Sequence, residues 1–150
     1  MKTFEINTSK MFTDITDEIA RHVPDGFNGF VVVYCGHTTA SLVMLENELL
    51  HLVDVRFFLD TLAPRFKEPE GSQGNTKYLH DLVSLRNDTP PDERINGHSH
   101  VRSLLFNSSE VIPILDGALI LNSWKRLFFV ELDPARDRVI HFGFIQETVV

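Results

Sequence analysis

His37 is the first candidate for a residue that binds a ligand or takes part in catalysis. It closely follows the apolar run at residues 30–35. Its neighbours add three hydroxyls close to the imidazole. Polar groups at the end of a buried strand are costly to bury without partners, so they indicate either a ligand site or local backbone pairing. A ligand site would bind a phosphate or orient a water molecule, whereas the local alternative is backbone pairing around a β-bulge. The segment alone favours neither. The hydroxyl-bearing residues are Thr38, Thr39 and Ser41.

Three carboxylates are further candidates for catalysis or metal binding. Glu46 lies at the predicted start of a long helix, where the helix dipole favours a negative charge, so capping is the stronger interpretation and a base or ligand is the alternative. Asp54 lies within the apolar stripe of the same helix and would need a partner there. Asp81 directly follows His80. Adjacent residues rarely act together on one element, so that pair is weak by itself.

A second histidine pair, His98 and His100, is separated by one serine. Two positions apart on a helix means about 200° around its axis, so the rings would flank the apolar face from opposite sides. They could not easily hold one ion in that arrangement, whereas on a strand both rings would share a face and chelate readily. The helix is the better interpretation, and it predicts one ligand from the pair, His100 before His98.

Arg136 and Arg138 lie on either side of the last predicted turn. Alternate residues of a strand share a face, so the two guanidinium groups could clamp a phosphate. The alternative is an exposed hairpin end with solvated charges, which carries at least equal weight.

The elements that position these residues follow from apolar spacing and turn chemistry. Helices are predicted at residues 15–23, 46–63 and 96–106, the last ending at a left-handed Asn107. Asp116-Gly117 is a strong hairpin signal between two short strands. Loops are predicted at residues 64–75 and 88–92. Because strands dominate both ends of the chain, the predicted class is α+β. The predicted strands are residues 4–7, 30–35, 41–45, 111–115, 118–121, 124–132 and 138–146.

Length and composition narrow the classes of protein. The chain has 150 residues, which fits a single domain over residues 1–150. Its formal net charge of -7 argues against a nucleic-acid partner, which would need a basic face. The single cysteine, Cys35, is typical of a reduced, cytoplasmic protein. No signal peptide and no apolar stretch of about 18 residues is present, so no membrane partner is expected.

The ordered set of short motifs resembles the YjbQ family, also called UPF0047 or the secondary thiamine-phosphate synthase family. The resemblance spans roughly residues 30–147. Each motif is modest, but their order along the chain is specific. The motifs are His37-Thr38-Thr39-Ala40-Ser41, Glu46-Asn47, Tyr78-x-His80-Asp81, Asn96-x-His98-x-His100, Ile112-Pro113, Asp116-Gly117, Trp124, Glu131 and Arg136-x-Arg138.

The resemblance implies an α+β fold with a strongly bent mixed sheet, like a sandwich or half-barrel, and a few packed helices. It also implies a homotrimer with the polar cluster near a subunit boundary. The family's polar positions carry over to His37, Glu46, Asp54, His80, Asp81 and His100. A divalent ion, Zn or Mg, is the expected cofactor, since imidazoles suit zinc and carboxylates suit magnesium. The predicted metal ligands are His37, His80 and His100, and the predicted catalytic residues are His37, Glu46 and Asp81. The predicted substrate-binding residues are Thr38, Thr39, Ser41, Lys125, Arg136 and Arg138.

The function predicted from this resemblance is a weak thiamine-phosphate synthase that acts on small phosphorylated metabolites. The alternatives are a metal-dependent hydrolase, or a trimer that binds a metal or metabolite without catalysis. Among the departures from the family pattern, the loss of small, neutral side chains at residues 122–125 puts the substrate in question. Leu45 replaces the usual asparagine, and residues 122–125 read Asn-Ser-Trp-Lys where the family has Gly-Thr-Trp-Gln.

Overall fold

The computed structural model describes residues 1–65 and 78–147. Within these residues the chain forms eight strands and three α-helices, with two 3₁₀ turns before the third helix. Most of the predicted loop at residues 64–75 lies outside the described residues. The strands are β1 (Lys2–Asn7), β2 (Phe12–Asp14), β3 (Gly29–Cys35), β4 (Ala40–Glu46), β5 (Ser109–Leu115), β6 (Ala118–Leu119), β7 (Lys125–Glu131) and β8 (Asp137–Gln146). The helices are α1 (Thr16–Ala20), α2 (Leu49–Leu62) and α3 (Gly97–Ser103), and the 3₁₀ turns are Leu79–Asp81 and Val83–Leu85.

The strands form two sheets that curl around a common core, a half-barrel arrangement that confirms the predicted α+β class. One sheet has the order β1-β8-β3-β5-β6, and the other has the order β2-β7-β4. Every strand pairing of the described residues is antiparallel, whereas the resemblance implies a mixed sheet. Of these pairs, β5 and β6 are joined by a tight turn, which requires antiparallel pairing because a parallel pair needs a long crossover connection.

The core lies between the inner faces of the two sheets. Along β3 the side chains alternate, so that Val31, Val33 and Cys35 are buried while Phe30 and Tyr34 are exposed. Side chains from β4 and β7 meet them from the other sheet, and α1 closes one end of the core. This alternation fixes the register of β3, because a slip of one residue would expose its whole apolar face.

The hairpin predicted at Asp116-Gly117 is confirmed. Asp116 has a φ of 49° and Gly117 a φ of 80°, which is the backbone of the tight turn that joins antiparallel strands. Asn107 is not left-handed: among the described residues, Asp116 is the only residue other than glycine with a positive φ. Instead, the backbone of Asn107 exchanges two hydrogen bonds with that of Leu42, at 2.8 and 3.1 Å.

The long helix α2 begins three residues later than predicted. Glu48 is its N-cap and accepts hydrogen bonds from the amides of Leu50 and His51, both at 2.8 Å. Glu46 therefore ends β4 and does not cap the helix. Asp54 is exposed on the outer surface of α2, so it is not an acid held within a buried stripe. None of the helices in the described ranges is long and apolar enough to span a membrane.

Candidate functional site

Three histidines from separate segments line one cleft of about 580 Å³. His37 follows β3, His80 lies in the 3₁₀ turn before α3, and His100 lies on α3 itself. The rings of His80 and His100 pack together, with centroids 4.4 Å apart and planes inclined by 33°. We call this space the histidine cleft. Its other lining residues are Gly36, Thr38, Thr39, Arg86, Pro90, Asp92, Glu93, Arg94, Asn96, Arg136 and Arg138.

His37 serves the backbone and the cleft at the same time. The β3–β8 ladder ends at the pair Cys35 and Ile140, and just beyond it the amide of Val139 donates to Nε2 of His37 at 3.1 Å. An imidazole nitrogen that accepts a hydrogen bond carries no proton, so the neutral ring keeps its proton on Nδ1. Burial and the neighbouring Arg138 charge also lower the pKa of His37. The backbone-pairing interpretation of this segment is therefore confirmed, the ligand-site interpretation stays a prediction, and Nδ1–H is the group that His37 could offer to a ligand.

Arg138 is buried. The alternative in which its guanidinium is a solvated charge at an exposed hairpin end is therefore wrong. Its Nε and Nη2 donate to the two carboxylate oxygens of Glu131 at 2.8 and 2.6 Å. Nη2 also donates to Oγ1 of Thr39 at 3.0 Å. Glu131 accepts a further bond from Oγ1 of Thr8 at 2.8 Å. The side chains of Arg138 and Glu131 are only 4% and 3% exposed, so the pair depends on matched geometry.

Asp133 organises the second half of the same wall. Its Oδ2 accepts from Nη2 of Arg136 and, at 3.2 Å, from Nδ2 of Asn96. Nη1 of Arg94 lies 3.7 Å from the same oxygen. The side chain of Asp133 is 1% exposed. The buried carboxylate of Asp133 thus positions three side chains that line the histidine cleft. Asp133 with these partners, and the Glu131–Arg138 pair, form what we call the ion-pair layer.

Four buried side-chain atoms in the described part of the chain have no hydrogen-bond partner. All four belong to this wall or to the histidine cleft. An unpaired buried donor or acceptor costs about 1–3 kcal/mol. Such atoms concentrated in one place therefore indicate a site where a bound molecule or ordered water supplies the partners. The atoms are Nδ1 of His80, Oδ1 of Asn96, Oδ1 of Asp133 and Nε of Arg136.

Asp81 lies behind the cleft and acts on the backbone. Its Oδ1 accepts from the amide of Gly97 at 2.7 Å, and Nδ1 of His80 lies 3.9 Å from the same oxygen. A Cβ at Gly97 would come within 2.5 Å of the Cβ of Tyr78, so glycine is required for the 3₁₀ turn to approach α3. The carboxylate thus holds the start of α3, and with it His100, against the segment that carries His80.

The remaining predicted residues lie outside the histidine cleft. Ser41 is buried within β4 and does not line the cleft. Glu46 and Lys125 are cross-strand neighbours at the far end of β4 and β7. With Asn122 and Trp124 they line a separate cavity of about 290 Å³. The substitutions at residues 122–125 therefore do not alter the lining of the histidine cleft.

His98 and His100 line different clefts, as their angular separation on a helix predicts. His98 faces a second cleft on the other side of the ion-pair layer. Burial and the charges of Arg102 and Arg65 lower the pKa of His98. Burial and the neighbouring His80 lower the pKa of His100. The predicted choice of His100 for the shared site agrees with this geometry, and its role as a metal ligand stays a prediction.

Sequence reasoning missed several residues of the cleft. Arg86, Glu93 and Arg94 lie in an irregular segment with no periodic pattern, and Asp133, which lies behind the cleft wall, belongs to the turn predicted between the last two strands. Arg86 contacts Glu93 at 3.3 Å, which braces the loop over the cleft. The only available signal was the concentration of charges between the two histidine motifs.

We expect the protein to lose stability on mild acidification. The pKa values of His37, His98 and His100 all lie below the ordinary 6.5 when folded. As the pH falls through 6.5 the unfolded chain takes up these protons first, so unfolding becomes easier until the pH drops below the folded pKa values. Urea unfolding at about pH 7.5 and about pH 5.5 measures this loss. His100→Gln should reduce the difference between the two midpoints, and an unchanged difference would contradict this account.

The curled antiparallel sheets define an α+β protein. Its polar cleft is lined by histidines and arginines from several segments of the chain. Residues 2–147 match the sequence model of the family described as UPF0047 protein YjbQ-like, and the chain belongs to this family. A UPF0047 protein of Archaeoglobus fulgidus is 35% identical over 125 residues, which cover 83% of each chain.

Solved structures of the family show the same fold. A YjbQ/UPF0047 family protein from Clostridium acetobutylicum has 27% identity and a TM-score of 0.74, covering 97% of this chain and 100% of that chain. A hypothetical protein from Aeropyrum pernix K1 has 29% identity and a TM-score of 0.76, covering 97% of this chain and 98% of its own. The predicted family and fold class are thus confirmed.

Proposed function

We propose that the histidine cleft binds a small phosphorylated metabolite and that the protein is a transferase of the thiamine-phosphate synthase kind. The observation that carries the proposal is the group of unpartnered buried atoms in and behind the cleft wall. Guanidinium groups pair well with phosphate oxygens, and four arginines line the cleft. The cleft lining has four arginines against two acids, Asp92 and Glu93, in a chain of net charge -7, and this local excess of positive charge favours an anionic ligand there.

The residues divide the work of binding between donors and acceptors. Nε–H of Arg136 and Nδ1–H of His37 would donate to phosphate oxygens. Oδ1 of Asn96 would accept from an N–H or O–H group elsewhere on the same ligand. Burial and the neighbouring His80 lower the pKa of His100, which favours its neutral ring as a hydrogen-bonding partner of the ligand.

In the proposed transfer, a thiazole phosphate reacts with a pyrimidine diphosphate. The thiazole nitrogen forms a bond to the pyrimidine methylene carbon, and the carbon–oxygen bond to the diphosphate breaks with its electron pair. The leaving diphosphate gathers negative charge, so fixed donors that face it lower the barrier. Arg136 and His37 are placed to act in this way.

In this proposal a divalent ion, Zn or Mg, would bind only together with the diphosphate group of the substrate. The described residues bring together no group of three or more histidine, cysteine, aspartate or glutamate side chains able to hold a metal. Nε2 of His37 is already engaged by the Val139 amide. The side chains present therefore do not fit a resident zinc held by three imidazoles.

The direct test is to incubate the purified protein with the pyrimidine diphosphate and the thiazole phosphate and to measure thiamine phosphate by mass spectrometry. Product that disappears in His37→Ala and persists in His51→Ala would support the proposal. Expression in a strain that lacks thiamine-phosphate synthase gives an independent readout. No product, no rescue of growth and no binding of pyrophosphate together would overturn it.

We also propose that copies of the chain associate through α2, consistent with the homotrimer implied by the resemblance. Only Leu59 of this helix is buried. Large apolar side chains along the rest of it are each more than half exposed, and a contiguous apolar patch of this kind marks an interaction surface. The exposed residues are Leu49, Leu50, Val53, Phe57, Phe58 and Leu62.

Phe57→Glu should convert the assembly to a smaller species, because it places a charge in the centre of this patch. Light scattering coupled to size-exclusion chromatography measures the mass directly. Arg56→Glu, on the neighbouring exposed position, changes the net charge by two units against one for Phe57→Glu, so it is a stringent control for added negative charge. A monomeric native protein, or an assembly unchanged by Phe57→Glu, would contradict the assignment.

A further inference from the structure

A second cleft, of about 670 Å³, lies on the opposite side of the ion-pair layer. We call it the rear cleft, and the residues that matter for its chemistry are Lys10, Arg65, His98, Glu131 and Asp133. The two carboxylates of the layer line the rear cleft, whereas their partners Arg136, Arg138 and Asn96 line the histidine cleft. The layer therefore presents acceptors to one cleft and donors to the other.

Asp133 lines the rear cleft and carries an acceptor that nothing in the described chain satisfies. Its Oδ2 is engaged by Arg136 and Asn96, but its Oδ1 is buried and has no hydrogen-bond partner. The side chain is 1% exposed, so bulk water does not solvate this oxygen freely. A half-satisfied buried carboxylate is costly, and a donor supplied by a ligand would remove that cost.

His98 presents a second acceptor to the same cleft. Oγ of Ser99 donates its proton to the carbonyl of Leu132 at 2.5 Å, so in its contact with Nε2 of His98 at 3.2 Å the hydroxyl oxygen must accept. Nε2 therefore carries the ring proton, and Nδ1 has a free lone pair. No side chain or amide of the described residues donates to Nδ1. The His98 residue as a whole is 4% exposed.

The buried Oδ1 of Asp133 and the unshared lone pair on Nδ1 of His98 are acceptors without donors, and together they define the ligand that this cleft would take. We propose that the rear cleft is a second binding site, for a small molecule that places a primary ammonium group against Oδ1 of Asp133 and Nδ1 of His98. An ammonium has three donors and a positive charge, which match one carboxylate oxygen and one imidazole nitrogen. A metal ion fits less well, since the described residues provide no group of three ligands.

The rim of the rear cleft indicates that the ligand also carries an anionic group. Lys10 and Arg65 line the cleft, and neither has a carboxylate partner among the described residues. Arg102 is not available, because its guanidinium is engaged by the carbonyl of Ala63 at 2.8 Å and by Asp60 at 2.7 Å. The ligand class is thus an amine that also bears a phosphate or a carboxylate.

O-Phosphoethanolamine is the minimal probe for this class, and ethyl phosphate and ethanolamine are its matched controls. We expect saturable binding of the probe by isothermal titration. Each control should bind about tenfold more weakly or worse, because each lacks one charged partner. A crystal structure with the probe should place its nitrogen between Asp133 and His98.

Variants separate this site from the histidine cleft. Asp133→Asn and Lys10→Met should each weaken binding of the probe by about tenfold, whereas His100→Ala should leave it within about twofold. Lys10 is exposed, so its substitution tests the site even if Asp133→Asn fails to fold. The proposal would be overturned if His100→Ala abolished binding of the probe or if ethyl phosphate bound as tightly as the probe. It would also be overturned if the crystal structure showed only ordered water at Oδ1 of Asp133. If pyrophosphate binds while the probe does not, the proposed function stands and the rear site falls.

Discussion

Arg138→Met should lower the free energy of unfolding by about 3–5 kcal/mol, because it leaves Glu131 as a buried carboxylate without its cation. Glu131 would keep the hydroxyl of Thr8 and the amide of Asp133, at 2.8 and 3.1 Å, but it would lose both charged donors. The double variant Glu131→Gln/Arg138→Met should recover a large part of the loss, because it removes the stranded charge. Urea unfolding at neutral pH gives the three free energies needed for the comparison.

The matched control for this prediction is Arg21→Met. Arg21 pairs with Glu18 on the surface of α1, where the arginine side chain is 70% exposed. Exposed pairs contribute little, so we expect a change within about 1 kcal/mol. Equal effects of Arg138→Met and Arg21→Met would show that the buried pair has no special weight in this fold.

Arg136→Met should weaken pyrophosphate binding by about 10- to 100-fold. A charge-assisted hydrogen bond contributes about 1.5–3 kcal/mol, and each 1.4 kcal/mol corresponds to a tenfold change in affinity. Arg136 lines the histidine cleft, and its buried Nε–H has no partner that a ligand would have to displace. Isothermal titration with pyrophosphate measures the change, and the urea midpoint of the variant shows whether its fold is intact.

Lys125→Met compares Arg136 with Lys125, another cation among the predicted substrate-binding residues. Lys125 lines the small cavity beside Glu46 and Trp124, outside the histidine cleft. Its substitution should therefore leave pyrophosphate affinity within about twofold. If Lys125→Met lost more pyrophosphate affinity than Arg136→Met, the phosphate site would have to lie at the other end of β7, beside Lys125.

Most elements of the fold could be predicted because their signals are local. The alternation in β3 and the Asp-Gly turn before β6 depend on residues within a few positions of each other. The start of α2 was misplaced because Glu46 and Glu48 are both acids near the helix start. Only the backbone shows which carboxylate reaches the first free amides, and that is Glu48.

The convergence of His37, His80 and His100 could be expected only through the family resemblance, since the three lie on separate segments. The ion-pair layer behind them was not predicted. Glu131 and Asp133 meet partners that are set by how β7, β8 and the turn between them fold back on one another. A sequence pattern shows that arginines and acids are present, but it does not show which oxygen each guanidinium meets. The tautomer of His37 likewise depends on an amide 102 residues away.

The ion-pair layer has a consequence for how this protein can diversify. Each of its carboxylates faces one cleft while the guanidinium that it holds faces the other, so a change at either partner alters both clefts at once. Relatives that acquire a new ligand preference on one side should therefore show paired replacements at positions 131 and 138, or at positions 133 and 136. Single replacements at these positions should be rare. Residues at the rim of one cleft can be replaced without a matching change at the rim of the other.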